Sequence, residues 1–292
     1  MALHHDPARH VFTWLCNRNN IPGTNIADAA SAMQAHVKRI RTLYRQPIGR
    51  QIPYDDAYFR AAYLIAYFPY YIEPVYHAMK AACLPDGFFS WDSLKVALFG
   101  GGPCPELLGL AAFLKERAPR LARVEATVFD RQPAWRMVQK ELVSEMLPEY
   151  CSPKTTFTLD SRPCDVVECL QRPCTCGVAD VDLIISQNFL TEIYTDRERA
   201  VQTFERLITG SRCRYLVFVE NNFHMVREMM DDFAARLHDK RLTTTRATAA
   251  YVCSSPGFTL PEVLRQHLFT GEDGLIAKSC VKFHHLVLEI AR

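Results

Sequence analysis

The stretch VALFGGGPCPELLGLAAFL, Val96 to Leu114, decides the fold class. Its apolar run has the length of a strand and stops at Gly100, Gly101 and Gly102, and beyond Pro103 the apolar residues recur at helical spacing. Glycine permits positive φ and has no Cβ to obstruct a ligand. The start of the next helix offers free backbone N–H groups. The stretch predicts a strand, a turn and a helix. The turn either lets a ligand approach the backbone or is only a tight connection between the strand and the helix.

The same alternation continues to the C-terminus. Seven segments read as strands: LKVALF, RVEATVFD, KTTFTL, DVDLIISQNF, RYLVFVEN, TTRATAAYVCSS and SCVKFHHLVLEIAR. Helical patterns follow the first, second, fourth and fifth of these strands, which predicts an α/β, doubly wound, mostly parallel seven-stranded sheet. The last two strands have no clear helix between them, which predicts a C-terminal antiparallel hairpin. Residues 1–92 read as helices, so we expect an N-terminal helical domain over 1–92 and a sheet domain over 93–292.

Composition limits the classes of function. The chain has 292 residues, a formal net charge of +2 and 49% hydrophobic residues. Near-neutrality argues against a dedicated nucleic-acid binder, although the run KRIRTLYR leaves a local basic patch open. No apolar run reaches the ~20 residues that span a bilayer. MALHHDPARH has no apolar leader and the 11 cysteines are scattered, so we expect a cytoplasmic protein with reduced thiols and no membrane partner.

No metal site is expected. The closest cysteines, Cys174 and Cys176, lack the paired C-x2-C spacing of structural zinc sites. His284 and His285 would lie on opposite faces of a strand, which is unfavourable for chelation.

Asp130 favours a ligand at the glycine turn. It ends the second strand, 28 residues after Gly102, where an acid can accept hydrogen bonds from both ribose hydroxyls of an adenosine ligand. The alternative is a cap for the helix that begins near Pro133. Asp165, after the third strand, is placed to meet an adenine amino group, with Asp160 as its rival and a surface loop as the alternative.

From about Lys95 to the C-terminus the chain resembles class I, seven-stranded S-adenosylmethionine-dependent methyltransferases. VALFGGGPCPE resembles their first motif, an apolar strand followed by G-x-G-x-G, and VFD resembles their ribose-binding motif. DLIISQNFLTEIY resembles the fourth motif. The resemblance implies an enzyme that uses S-adenosylmethionine. It also implies that Gly100 and Gly102 line the methionine part of the cofactor and that Asp130 holds the ribose. The full set of cofactor-binding residues that we expect is Gly100, Gly101, Gly102, Pro103, Asp130, Asp165 and Gln187.

Two departures from the first motif stand out. Cys104 occupies the place of the third glycine, and Leu98 stands where the family often has an acid. The amino group of the cofactor therefore needs another partner, for which Glu106 and Glu73 are the candidates.

Methyl transfer is an in-line displacement, for which alignment and desolvation supply much of the acceleration. The segment SQNFLTEIYTD places Asn188, Glu192 and Tyr194 as catalytic candidates near the methyl group. The alternative for Glu192 is an acid favoured by a helix start. The N-P-P-Y sequence typical of methylation of planar amino groups is absent.

The N-terminal helices are the candidate substrate cover. Tyr70, Tyr71 and Glu73 could hold a cationic or aromatic acceptor by stacking and cation–π contact. Core packing is the alternative for such an aromatic stripe. We expect a small-molecule or peptide acceptor.

Two rival functions remain at this point. GGGPCPE shares G-P-x-P with nicotianamine synthase-like enzymes, which transfer the aminobutyryl group of the same cofactor and release methylthioadenosine. The second rival is a non-catalytic protein with the methyltransferase fold that serves as a scaffold for RNA or protein.

Overall fold

The computed structural model describes residues 6–18, 21, 25–45, 52–89, 92–165, 168, 178–253 and 258–291. The strands are β1 (Ser93–Phe99), β2 (Arg123–Asp130), β3 (Thr156–Pro163), β4 (Leu183–Gln187), β5 (Tyr215–Asn221), β6 (Thr243–Cys253) and β7 (Val281–Ile290). The helices are α1 (Pro7–Asn17), α2 (Ile26–Ala32), α3 (Gln34–Tyr44), α4 (Ala57–Ala66), α5 (Glu73–Ala81), α6 (Pro105–Arg117), α7 (Trp135–Val138), α8 (Ser144–Tyr150), α9 (Arg197–Thr209), α10 (His224–Asp239) and α11 (Glu262–His267).

The seven strands form one sheet in the order β3-β2-β1-β4-β5-β7-β6. β1 to β5 pair in parallel, whereas β7 runs antiparallel to β5. The predicted doubly wound, mostly parallel sheet with an antiparallel C-terminal part is therefore confirmed. The strand order reverses at β1, because β2 and β3 extend from one side of it and β4 and β5 from the other. Ligands of open α/β sheets bind at such a switch point.

The connection between β6 and β7 differs from the prediction. The short helix α11 lies in it, although the sequence predicted no clear helix there. A helix of six residues is too short to display the apolar periodicity from which helices are recognised.

The chain divides into two compact units. One consists of Met1–Tyr71 with Cys253–Val281, and the other of Ile72–Val252 with Lys282–Arg292. The first unit contains α1 to α4 and α11. The second contains the sheet and α5 to α10. These boundaries differ from the predicted domain limits of 1–92 and 93–292 in two places. Residues 72–92, which include α5, belong to the second unit, and the chain returns to the first unit after β6.

Both faces of the sheet are covered in the second unit. α6 is buried from Pro105 to Leu114, as expected of a helix that is apolar all round. On the opposite face, α9 and α10 contribute Phe204 and Phe233, which pack edge-on with Phe218 of β5. Phe218 lies in the middle of β5, so this packing buries the centre of that strand.

Candidate active site

The glycine turn after β1 has a left-handed backbone at three positions. Gly100 and Gly102 have φ of 63° and 49°, and Cys104 has φ of 51°. Cys104 thus adopts the conformation that glycine would adopt freely, at a cost on the order of 1 kcal/mol. The departure from G-x-G-x-G changes the residue but not the backbone conformation expected of a glycine.

The three glycines face different surroundings. A Cβ on Gly100 would overlap the ring of Phe189. A Cβ on Gly101 would lie 2.8 Å from Val128 Cγ1 and 2.9 Å from Glu106 Oε1. Protein packing therefore favours glycine at both positions, most strongly at Gly100, where the ring of Phe189 would have to move. At Gly102 the nearest atom would be Trp135 Nε1, at 3.6 Å, so a Cβ there would meet only ordinary contacts.

Side chains hold both backbone groups of Gly102. Its N–H donates to Asp130 Oδ2 at 2.7 Å, and its carbonyl accepts from Gln139 Nε2 at 2.5 Å. Gln139 Oε1 in turn accepts from the Ser161 hydroxyl at 2.5 Å. Gln139 is buried and begins a π-helical turn, Gln139–Val143, between α7 and α8. Such turns recur at functional sites.

The sequence did not single out Gln139. The feature that could have marked it is a polar residue on the apolar side of a helix, because Gln139 comes four positions after Trp135 and directly after Val138.

Asp130 lies beside the turn with both oxygens engaged. Oδ2 accepts from Gly102, and Oδ1 accepts from the N–H of Gln132 at 2.8 Å. Each carboxylate oxygen can accept a further hydrogen bond. Burial raises the pKa of Asp130, while the bonds from Gln132 and Gly102 oppose that rise. Asp130 therefore both fixes the turn and keeps acceptor capacity for hydroxyl groups.

The two candidates for an adenine contact differ in their surroundings. Asp165 follows β3, accepts from the N–H of Glu168 at 3.2 Å, and its charge acts on Asp130. Asp160 is exposed and paired with Arg162 at 2.8 Å. Of the two, Asp165 is therefore the one associated with the Asp130 region.

Glu106 is a buried acid at the start of α6. It is 2% exposed, and burial raises its pKa to about 8, with the charge of Asp130 adding to the rise. Burial also holds the pKa of the neighbouring Cys104 thiol well above its ordinary value. Glu73, the other candidate for the cofactor amino group, lies at the start of α5 and is 3.9 Å from His77 Nε2. Glu106 is thus the candidate that adjoins the glycine turn.

Glu220, at the end of β5, fixes the loop after β4. Its Oε1 accepts from the N–H groups of Phe189 and Leu190 at 2.8 and 2.7 Å, and its Oε2 accepts from the Thr191 hydroxyl at 2.9 Å. Burial raises its pKa to about 7. The sequence analysis did not single out Glu220. Its position as an acid within the apolar strand RYLVFVEN was the feature that could have marked it as a buried polar residue.

The loop held by Glu220 carries the predicted catalytic residues. Gln187 ends β4 and is buried. Asn188 has φ of 56°, and its Oδ1 accepts from Asn221 Nδ2 at 3.0 Å. The next residue, Phe189, packs on Gly100. The structure therefore brings the start of this loop against the glycine turn.

Glu192 and Tyr194 lie further along that loop. The N–H of Glu192 donates to the carbonyl of Phe189 at 2.9 Å. Tyr194 begins a short 3-10 helix and packs against the apolar cluster under α9 and α10. Tyr194 therefore contacts core residues, whereas Phe189 is the residue of this loop that contacts Gly100.

The predicted substrate residues fall in different units. Tyr70 and Tyr71 belong to the first unit and are buried, whereas Glu73 belongs to the second. The ring of Tyr71 stacks with Tyr67 at 5.9 Å. The cysteines weighed as zinc ligands, Cys174 and Cys176, lie outside the described residues.

Comparisons with known proteins find distant structural likeness only. No protein-family model matches the chain, and no curated protein matches it. A candidate class I S-adenosylmethionine-dependent methyltransferase of Listeria monocytogenes aligns over 98% of this chain and 88% of its own, with 12% identity and a TM-score of 0.48. The human methyltransferase 10 domain-containing protein aligns over 93% and 100%, with 12% identity and a TM-score of 0.43.

A candidate RNA methyltransferase of Pyrococcus horikoshii aligns over 74% of this chain and 82% of its own, with 12% identity and a TM-score of 0.39. Likeness this distant carries no argument about activity. Strand number, order and direction nevertheless agree with the seven-stranded, mostly parallel sheet that the sequence predicts. Within the described part of the chain, no helix is both long and apolar enough to cross a membrane.

Proposed function

We propose that the protein is an S-adenosylmethionine-dependent methyltransferase acting on a small-molecule or peptide acceptor. One observation carries the proposal. At the point where the strand order reverses, the N–H of Gly102 donates to Asp130, in a turn whose Cβ-free side at Gly102 faces Asp130 and Trp135. A glycine turn and an acid at the ends of adjacent parallel strands form the arrangement that binds adenosine nucleosides.

Three acidic residues have proposed roles in binding the cofactor. Asp130 accepts hydrogen bonds from the two ribose hydroxyls, since each of its oxygens already holds one backbone N–H and has capacity for another. Asp165 meets the adenine amino group. Glu106 accepts a hydrogen bond from the cofactor amino group in place of the acid missing at Leu98, because it is the buried acid next to Gly101. The positive charge of that amino group would favour the ionised form of Glu106 when the cofactor binds.

When bound, the cofactor supplies an electrophilic methyl group on a sulfonium. The protein's part is to align the acceptor and exclude water. The loop after β4 is suited to this part, because Glu220 and Asn221 hold Asn188 and Phe189 in one conformation. Asn188, with Gln187 before it and Glu192 after it, would orient an acceptor, and Glu192 could take a proton from one that carries it into the reaction.

Aminobutyryl transfer is the second candidate. It is favoured by the G-P-x-P turn, in which Pro103 precedes the left-handed Cys104 and Pro105 begins α6. Both reactions use the same cofactor, so the products separate them. Methyl transfer releases S-adenosylhomocysteine, whereas aminobutyryl transfer releases methylthioadenosine.

Calorimetric titration with S-adenosylhomocysteine tests the cofactor site. We expect micromolar binding that Asp130→Ala weakens at least ten-fold, about 1.4 kcal/mol. Asp160→Ala is the matched control, because it removes an exposed acid from the neighbouring strand and should leave the affinity unchanged. A folded wild-type protein that binds neither S-adenosylhomocysteine nor S-adenosylmethionine would exclude both enzymatic proposals and favour the scaffold.

A further inference from the structure

The first unit contains a cluster of cationic and phenolic groups around α3 and the segment before β7. Arg41 on α3 donates from Nη2 to the carbonyl of Ile276 at 2.6 Å. Lys278, two residues after Ile276, has its ammonium 4.8 Å from the ring centre of Tyr67 and 5.4 Å from that of Tyr71. The faces of these two tyrosines are therefore occupied by a cation of the chain itself.

No carboxylate of the described residues balances the positive charge of Lys278. Among the described side chains, none forms an ion pair with it, and the undescribed stretches of this unit (1–5, 19–20, 22–24, 46–51 and 254–257) contain no aspartate or glutamate. Burial lowers the pKa of Lys278 to about 8, and the charge of Arg41 acts in the same direction. Two cations that repel each other in a partly buried place are unfavourable unless a negative charge joins them.

The Tyr70 hydroxyl belongs to the same cluster. Tyr70 is 5% exposed, and among the described residues no group accepts a hydrogen bond from its hydroxyl proton. Burial raises its pKa to about 12, while the charge of Arg41 and a hydrogen bond from the backbone N–H of Lys278 to the phenol oxygen act in the opposite direction. A buried hydroxyl whose proton has no acceptor costs roughly 1–3 kcal/mol, so Tyr70 calls for an acceptor that the described residues do not supply.

We propose that Arg41, Tyr70 and Lys278 form a binding site for the oxyanion group of a small molecule, a carboxylate or a phosphate. The guanidinium, the phenol and the ammonium can all donate hydrogen bonds, and an oxyanion offers only acceptors. The aromatic faces beside Lys278 keep its ammonium in position. This site reverses the expectation that Tyr70 and Tyr71 meet a cationic acceptor, because Lys278 already takes that place at Tyr71.

The proposal is independent of the cofactor site, so its test uses binding alone. The full chain is titrated calorimetrically with inorganic phosphate and, separately, with benzoate, at constant ionic strength and pH 7. We expect wild type to bind at least one of them with a dissociation constant of about 1 mM or tighter. Binding of phosphate alone assigns a phosphate ligand, and binding of benzoate alone assigns a carboxylate ligand.

Three variants make the test specific. Tyr70→Phe removes only the hydroxyl, so we expect about five-fold weaker binding or more with an unchanged or raised melting temperature. Lys278→Met should abolish binding. Lys38→Met is the matched control, because Lys38 lies on the same helix but pairs with exposed Asp273, and it should bind like wild type. The proposal is overturned if wild type binds neither probe, or if Tyr70→Phe and Lys38→Met bind equally well.

Discussion

Glu106 makes the stability of the protein depend on pH in a way that one substitution isolates. Burial raises its pKa from an ordinary value of 4.5 to about 8 in the folded state. The folded protein therefore holds the proton more tightly than the unfolded chain does. The resulting loss of stability begins as the pH rises above the unfolded value and is complete once the pH passes about 8.

The magnitude follows from that difference in pKa. At 1.36 kcal/mol per pKa unit the complete loss is about 5 kcal/mol, and about 3 kcal/mol of it falls between pH 6 and pH 9. Glu220, with a pKa raised to about 7, adds about 1 kcal/mol over the same interval. The Glu220 part is common to wild type and to any Glu106 variant, so it cancels in a comparison of the two.

Urea denaturation of wild type and Glu106→Gln at pH 6 and pH 9 measures the effect. Gln keeps the shape of Glu106 but cannot ionise. We expect the free energy of unfolding of the variant, relative to wild type, to increase by about 3 kcal/mol from pH 6 to pH 9. Glu145→Gln, an exposed position on α8, should show no such change. A difference between Glu106→Gln and wild type that is the same at both pH values would refute the burial of a protonated Glu106.

Two further predictions concern the loop and the turn. Glu220→Ala leaves the N–H groups of the loop after β4 without an acceptor and should lower the unfolding free energy by about 3 kcal/mol or more. Glu220→Gln, which keeps an acceptor oxygen, should cost less than half of that. Equal costs in urea denaturation would contradict the role of Glu220 in holding this loop. Gly100→Ala should lower the unfolding free energy by about 1–3 kcal/mol more than Gly102→Ala, because only the Cβ at position 100 overlaps Phe189. This difference should shrink when both substitutions are made in a Phe189→Ala background. A difference that persists there would show that the overlap with Phe189 is not its cause.

The central part of the fold could be predicted from local sequence. The unit of β1, turn and α6 is encoded by an apolar run, three glycines and a proline at the first helical position, all within Val96–Leu114. Asp130 was recognisable because strand ends and glycine turns have a regular order in such folds. Those features depend on neighbouring residues, which a sequence displays directly.

The groups that hold the site rigid depend on distant residues. Gln139 bonds to a residue 37 positions away and Glu220 to residues 30 and 31 positions away. Lys278 reaches Tyr67 and Tyr71 from a segment beyond β6. A tyrosine-rich helix therefore resembles a site for an external cation, while the cation that occupies it is supplied by the chain itself.

The most direct test of the central claim compares the effect of Asp130→Ala on two ligands. Calorimetry gives the affinities of wild type and variant for S-adenosylhomocysteine and for its 2′,3′-dideoxy analogue. If Asp130 binds the ribose hydroxyls, the substitution weakens S-adenosylhomocysteine at least ten-fold and the analogue much less, a coupling of about 1 kcal/mol or more. Equal weakening of both ligands would mean that Asp130 only supports the turn at Gly102, and an absence of binding by folded wild type would contradict the cofactor site itself.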